Sequence, residues 1–122
     1  MPKKLVRSLK NAHRGIKHTL ATQRNIWVHF GIGLIVLIFA AYLKVNIEKF
    51  MILVLTVCLV VVAEVLNTSI EAVLDFVSPG KHEKVALAKD IAAGAVLFAS
   101  FGAVIIGVLI FGPILLGVVG WR

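Results

Sequence analysis

The chain has 122 residues, room for one domain, and 60% of them are apolar, against roughly 45–50% in ordinary soluble domains. With 16% charged residues, a mean hydropathy of +1.00 and one cysteine, Cys58, the composition excludes a soluble globule, a disordered chain and a disulfide scaffold. Thirteen Lys and Arg against six Asp and Glu leave a small integral membrane protein with a basic surplus.

In chain order, the first element is amphipathic. Leu5, Leu9, Ala12, Ile16 and Leu20 recur at helical spacing, with Arg7, Lys10, Arg14 and Lys17 on the opposite side. This spacing predicts a basic surface helix over residues 1–25, lying in the headgroup plane and attracted to anionic lipid. Taken alone it reads as a topology anchor, in preference to a surface that meets an anionic substrate such as a nucleotide. His13 and His18 fall on it and are expected to be solvated.

Three uncharged runs follow. A helix rises about 1.5 Å per residue, so roughly 20 apolar residues cross the hydrocarbon core. The run Ile26 to Leu43 is long enough for one span. Ala40 and Ala41 imitate a signal-cleavage site, but the basic segment before them and the spans after them argue for a retained helix. Trp27 and Trp121 are expected at the interfaces, and His29 against headgroups. The run Phe50 to Ala63 has only fourteen residues and becomes a span only by continuing through Glu64 to about Asp75. Cys58, at its middle, reads as inert packing. Pro79-Gly80 signals a turn, and Lys81, His82, Glu83 and Lys84 follow it. The third helix begins near Val85, carries Lys89 and Asp90, and enters an uncharged run from Ile91 to Trp121. The expected spans are therefore about 26–43, 50–75 and 86–119, in an all-α fold. The small residues Ala92, Ala93, Gly94, Ala95, Ala99, Gly102, Ala103 and Gly107 smooth the third span for close approach, and three spans make a thin bundle, so a homo-oligomer is expected.

Lys and Arg set the orientation. Residues 1–25 carry seven of them and residues 76–90 three, against two in the 44–49 turn and Arg122 alone at the C-terminus. The N-terminus is expected in the cytoplasm and the C-terminus outside.

The second span carries the chemistry. Glu64, Asn67, Glu71 and Asp75 are spaced by three, four and four and form one polar stripe, with Thr68 beside it. An ionisable group at the bilayer centre costs roughly 2.5–3.5 kcal/mol on insertion scales, so this stripe needs cations, a metal or a wet cavity. The segment 81–90 supplies cations. Carboxylates beside lysine suit a Mg²⁺–polyphosphate site; the plainer reading is an ion-pair network joining helices two and three. No Walker A loop, dinucleotide fingerprint, nucleophile elbow or zinc motif is present, and no internal repeat is visible.

The stretch Ala63-Glu64-Val65-Leu66-Asn67-Thr68-Ser69-Ile70-Glu71-Ala72-Val73-Leu74-Asp75 resembles the E-[VIL]-[IL]-N-[ST]-[AS]-I-E-x-x-x-D signature of the prokaryotic diacylglycerol kinase family, which includes undecaprenol kinases. His82 with Ala88-Lys89-Asp90-Ile91-Ala92-Ala93-Gly94-Ala95-Val96 is similar to its H-x₅-AKD-x-AAGAV block. Ser8-Leu9-Lys10-Asn11-Ala12 through Gly15-Ile16, and Arg24-Asn25 through His29, are similar as well, so the resemblance covers nearly the whole chain. It implies a single domain over 1–122 that assembles as a homotrimer in the bacterial inner membrane. Its implied activity is transfer of the γ-phosphoryl of Mg·ATP to a lipid hydroxyl at the cytoplasmic face, with no nucleic-acid partner.

Carried over by position, Glu64 is the general base and Glu71 binds Mg²⁺ with the nucleotide phosphates. Lys89 and Asp90 hold the nucleotide, with Lys81, His82 and Asn11 near it, and Asn67 orients the catalytic carboxylate or the substrate hydroxyl. The family usually has glutamate where this chain has Gln23, at a position that completes the metal and nucleotide site. Glutamine offers a carbonyl oxygen and no charge, which implies weaker metal affinity, a substitute carboxylate or an impaired enzyme. The pattern from Arg24 to His29 and the ending Ile105-Ile106-Gly107 to Phe111-Gly112-Pro113 look more like the undecaprenol kinase branch than the diacylglycerol one. Two other classes compete. In a proton-coupled transporter Glu64 would carry the proton, but Lys89 would repel a cationic cargo and three spans fit paired repeats badly. In a membrane scaffold without catalysis, Glu64→Ala would leave function intact.

Overall fold

The computed structural model describes residues 2–117, and these form four helices: α1 (Pro2–Thr22), α2 (Arg24–Tyr42), α3 (Ile47–Val77) and α4 (Glu83–Leu115). The last three are long and apolar enough to cross a membrane. Many of their large side chains are exposed on the protomer, among them Ile35, Leu55, Leu97 and Phe98. That is the arrangement a lipid-facing helix requires, because lipid rather than protein covers its outer surface.

Helices α1 and α2 meet at an elbow. Gln23 leaves the helical region, at φ −110° and ψ 112°, and its N–H donates to the Thr19 carbonyl at 2.9 Å. The Trp27 indole N–H donates to the Leu20 carbonyl at 2.5 Å. It thereby satisfies one of the carbonyls that the end of α1 leaves without a partner, a specific role beyond the interfacial one expected of it.

Helix α3 is the spine of the bundle. It packs along both α2 and α4, and it touches α1, whereas the backbones of α2 and α4 stay apart. Near the end of the bundle remote from α1, Phe39 and Phe111 cross the gap, with ring centroids 5.3 Å apart. The α2–α3 seam repeats every seven residues. Ile26, Gly33 and Ala40 are buried on α2, and Leu53, Val60 and Asn67 on α3. A seven-residue period keeps one stripe of each helix facing its neighbour. Gly33 permits the approach: a Cβ there would lie 2.5 Å from Val57 Cγ1. By contrast, Cβ atoms built at Gly94, Gly102 and Gly107 of α4 meet nothing within 4 Å. A glycine thus permits a direct side-chain contact at the α2–α3 seam, whereas Ala93, Gly94 and Ala95 of α4 are exposed on the protomer. Cys58 is exposed on the outside of the protomer, a correction to the packing role expected of it.

Caps set the helix ends. The Asn46 side chain accepts from the Lys49 N–H at 2.9 Å, so α3 starts at Ile47, before the apolar run begins. His82 Nδ1 accepts from the Lys84 N–H at 3.1 Å, and α4 starts at Glu83. At its other end α4 stops at Leu115, short of the expected 119, because Gly117 takes φ +69° and its N–H returns to the Ile114 carbonyl. Trp121 and Arg122 lie outside the described residues.

Candidate functional site

Helix α3 has 31 residues and so is about 46 Å long, roughly one and a half times the hydrocarbon thickness. The polar stripe runs from Glu64 toward the end of α3 that lies beside α1. Glu64, only 3% exposed, sits where the helix is still enclosed by its neighbours. Asn67 is buried one turn on, Glu71 is half-buried, and Asp75 is exposed. One face of one helix therefore grades from an enclosed carboxylate to a solvated one.

Each of these polar groups meets a different neighbour. Thr68 Oγ1 donates to the Glu64 carbonyl at 3.0 Å, a bond within the helix that leaves the Glu64 carboxylate untouched. That carboxylate faces α2, with Oε2 3.6 Å from His29 Nε2. The sequence position of His29 points it at the headgroups, whereas the fold sets it against the buried acid. Asn67 Nδ2 donates to Glu71 Oε1 at 3.2 Å. Among the described residues Asn67 Oδ1, which is buried, has no hydrogen-bond partner. An unpaired buried acceptor carries its full desolvation cost until a donor arrives.

At the open end, Lys89 Nζ of α4 lies 2.5 Å from Asp75 Oδ1. The expected pairing of the carboxylate stripe with the start of the third span is thus present at this one contact. A cavity of about 470 Å³ lies beside it, lined by Asp75, Ser78, Lys81, His82 and Lys89 among others. Lys81, His82 and Lys89 therefore converge on one space, with His82 Nδ1 already committed to capping α4. Asp90 and Asn11 are exposed and enter no side-chain hydrogen bond among the described residues. Gln23 is half-buried at the elbow, and its side chain does not cap α2. Among the described residues no three His, Cys, Asp or Glu side chains are grouped as a metal site.

A second cavity, of about 320 Å³, opens between α2, α3 and α4 and is almost wholly apolar, with Gly33, Val57 and Gly107 in its walls. His29 forms part of its lining, so this ring borders both the apolar cavity and the Glu64 carboxylate.

These features define a class: a small helical membrane protein with an enclosed carboxylate at one end of its bundle and a basic, solvent-open cavity beside it. The family model for prokaryotic diacylglycerol kinase matches residues 10–111. A diacylglycerol kinase from Synechocystis sp. is 42% identical over 113 residues, covering 92% of this chain and 65% of that protein. An undecaprenol kinase from Bacillus subtilis is 37% identical over 107 residues, 88% of this chain and 87% of the relative. A diacylglycerol kinase from Escherichia coli is 39% identical over 72 residues, 59% of each. The chain belongs to the prokaryotic diacylglycerol kinase family, a family of lipid kinases. It spans about two thirds of the Synechocystis relative and most of the Bacillus one.

Proposed function

We propose that this chain transfers the γ-phosphoryl group of ATP to the hydroxyl of undecaprenol at the cytoplasmic face of the bacterial inner membrane. The observation that carries the kinase reading is the graded stripe of α3, which sets an enclosed carboxylate two turns from a half-buried one and three turns from a lysine-lined cavity. Glu64 removes the proton of the lipid alcohol. The alcohol oxygen then bonds to the γ-phosphorus as the bond from that phosphorus to the β-phosphate oxygen breaks, and ADP leaves. Asn67, buried one turn from Glu64, orients the bound alcohol, and its amide N–H donates to Glu71. Lys89 and Lys81 neutralise phosphate charge in the cavity that they line with His82, and Asp90 and Asn11 are the further nucleotide-binding residues of this reading. Little covalent chemistry is asked of the protein; alignment and charge neutralisation suffice.

Glu71 and Gln23 would hold Mg²⁺. A carboxylate with one oxygen already bonded and an amide oxygen suit an ion that takes one or two protein ligands and completes its shell from phosphates and water. Such an ion supplies further neutralisation of the phosphate oxygens.

Undecaprenol is favoured by the almost wholly apolar cavity beside His29, which suits an isoprenoid chain. The extent of the match to the Bacillus protein supports the same reading, while the higher identity to the Synechocystis protein favours diacylglycerol as the second reading. We further propose that the open small-residue face of α4 packs in a homotrimer and that α1 lies on the cytoplasmic leaflet.

The test is Mg·ATP-dependent phosphorylation of undecaprenol and dioleoylglycerol, side by side, by the full chain in detergent micelles. Undecaprenyl phosphate is expected to form faster, and Glu64→Gln is expected to lower the rate roughly 10²- to 10⁴-fold. A Glu64→Gln protein as active as the wild type would sink the assignment of the base. Faster turnover of dioleoylglycerol would transfer the chain to the second reading.

A further inference from the structure

We propose that His29 is a positioning residue for the proposed base, its Nε2–H holding one oxygen of the Glu64 carboxylate so that the other is presented to the lipid hydroxyl. The inference rests on the kinase reading above and deepens it. A carboxylate taken out of water needs a donor or a counter-charge to hold it. Among the described residues, the Glu64 carboxylate accepts no side-chain hydrogen bond, and His29 is the sole cation-forming group within ion-pair distance, Nε2 to Oε2 3.6 Å. That separation is slightly long for a hydrogen bond, as contacts at catalytic groups often are before substrate arrives.

The backbone aims the two side chains at each other. His29 lies three residues after Ile26 and four before Gly33, so it shares their face of α2, the face that packs on α3. Gly33 brings the helices close by meeting Val57 directly, and this puts an imidazole one turn away within reach of α3. The Glu64 side chain is 4% exposed and the His29 side chain 21%, so the acid is the more enclosed partner of the pair. An acid that could swing freely would offer its proton-accepting lone pair in many directions; one tethered oxygen leaves a single orientation, and misplacement by about 1 Å can cost on the order of 10²-fold in rate.

The test uses three replacements in the full chain. Glutamine places its amide N–H near the position of Nε2, asparagine reaches only as far as Nδ1, and phenylalanine keeps the bulk and removes the donor. The expected outcome is that His29→Phe and His29→Asn lower kcat about 10- to 100-fold with KM for ATP unchanged, while His29→Gln restores most of the rate. Full activity in His29→Phe overturns the inference, and so does a folded His29→Gln as slow as His29→Phe, because that outcome demands a titrating ring rather than a donor. A readout independent of turnover is the nitrogen-15 spectrum of the labelled histidine ring. It is expected to show a protonated Nε2 at His29 whose resonance moves in Glu64→Gln, and an unmoved resonance overturns the contact. If wild type phosphorylates neither lipid, the kinase reading fails while the spectrum still decides the contact. If wild type is active and His29→Phe and His29→Asn leave its rate unchanged, the inference alone fails.

Discussion

Gln23 sits at the elbow between α1 and α2 with its side chain uncommitted to the helix cap. The resemblance to the family puts a glutamate there, so the proposed metal pair loses one charge. Mg²⁺ is a hard cation that favours anionic oxygen, and a carboxylate at this position adds a formal charge to its shell. Gln23→Glu is therefore expected to lower the Mg²⁺ concentration for half-maximal activity by several-fold, read from phosphorylation rates across a Mg²⁺ titration. An unchanged midpoint would remove residue 23 from the metal site. At this scale the stripe Glu64, Asn67, Glu71 and Asp75 was legible, because its spacing alone puts four polar groups on one helical face. The His29–Glu64 contact was not, since it depends on how α2 is rotated against α3. A signal did exist: His29 falls at helical spacing between Ile26 and Gly33, on the same face as Ala40. The exact neighbours of Asn67 likewise depend on which rotamers the packed helices leave open.

Helix ends are decided by single residues, and the α2–α3 turn shows how. Leu43 ends α2, Lys44 adopts φ 55°, the Lys44 N–H donates to the Ala41 carbonyl at 3.1 Å and the Val45 N–H to the Ala40 carbonyl at 3.2 Å. This paired return is the Schellman arrangement, whose left-handed position favours glycine. A side-chain-bearing residue there costs roughly 1–2 kcal/mol, partly offset by the chain entropy that glycine would lose. Lys44→Gly is accordingly expected to stabilise the fold by about 0.5–1 kcal/mol, seen as a higher midpoint in SDS-induced unfolding from detergent micelles. A lower midpoint would mean that the lysine side chain contributes more than its backbone costs. The three spans themselves were readable from the uncharged runs, and so was the need for the middle one to continue past Glu64. Their termini were not, because Asn46, His82 and Gly117 move each boundary by a few residues through individual hydrogen bonds that hydropathy does not register.

The protomer as a whole is unfinished on one side. Its helices line up with α3 between α2 and α4, and the Phe39 and Phe111 rings meet across α2 and α4 near the end remote from α1. Helix α4 carries both large exposed side chains such as Phe98 and Phe101 and small open positions such as Gly102. Lipid can cover the first kind of surface, but in a membrane small residues are most useful where another helix comes close. Gly102 separates these possibilities cleanly. A Cβ there meets nothing within 4 Å inside the protomer, and isoleucine has a better intrinsic helix propensity than glycine, so the protomer has no reason to weaken. If a second copy packs against this face, as the proposed trimer requires, a branched side chain pushes it away. Gly102→Ile is then expected to shift the species seen by native mass spectrometry in detergent from three 13.2 kDa protomers toward one, with helix content by circular dichroism unchanged. A variant that keeps the wild-type assembly would place the contact between copies on another surface. Loss of the assembly together with loss of phosphorylation would show that the site needs its neighbours, since the substitution lies more than three helical turns beyond Lys89 and, with nothing within 4 Å of its Cβ, touches none of the residues proposed to act on the substrates.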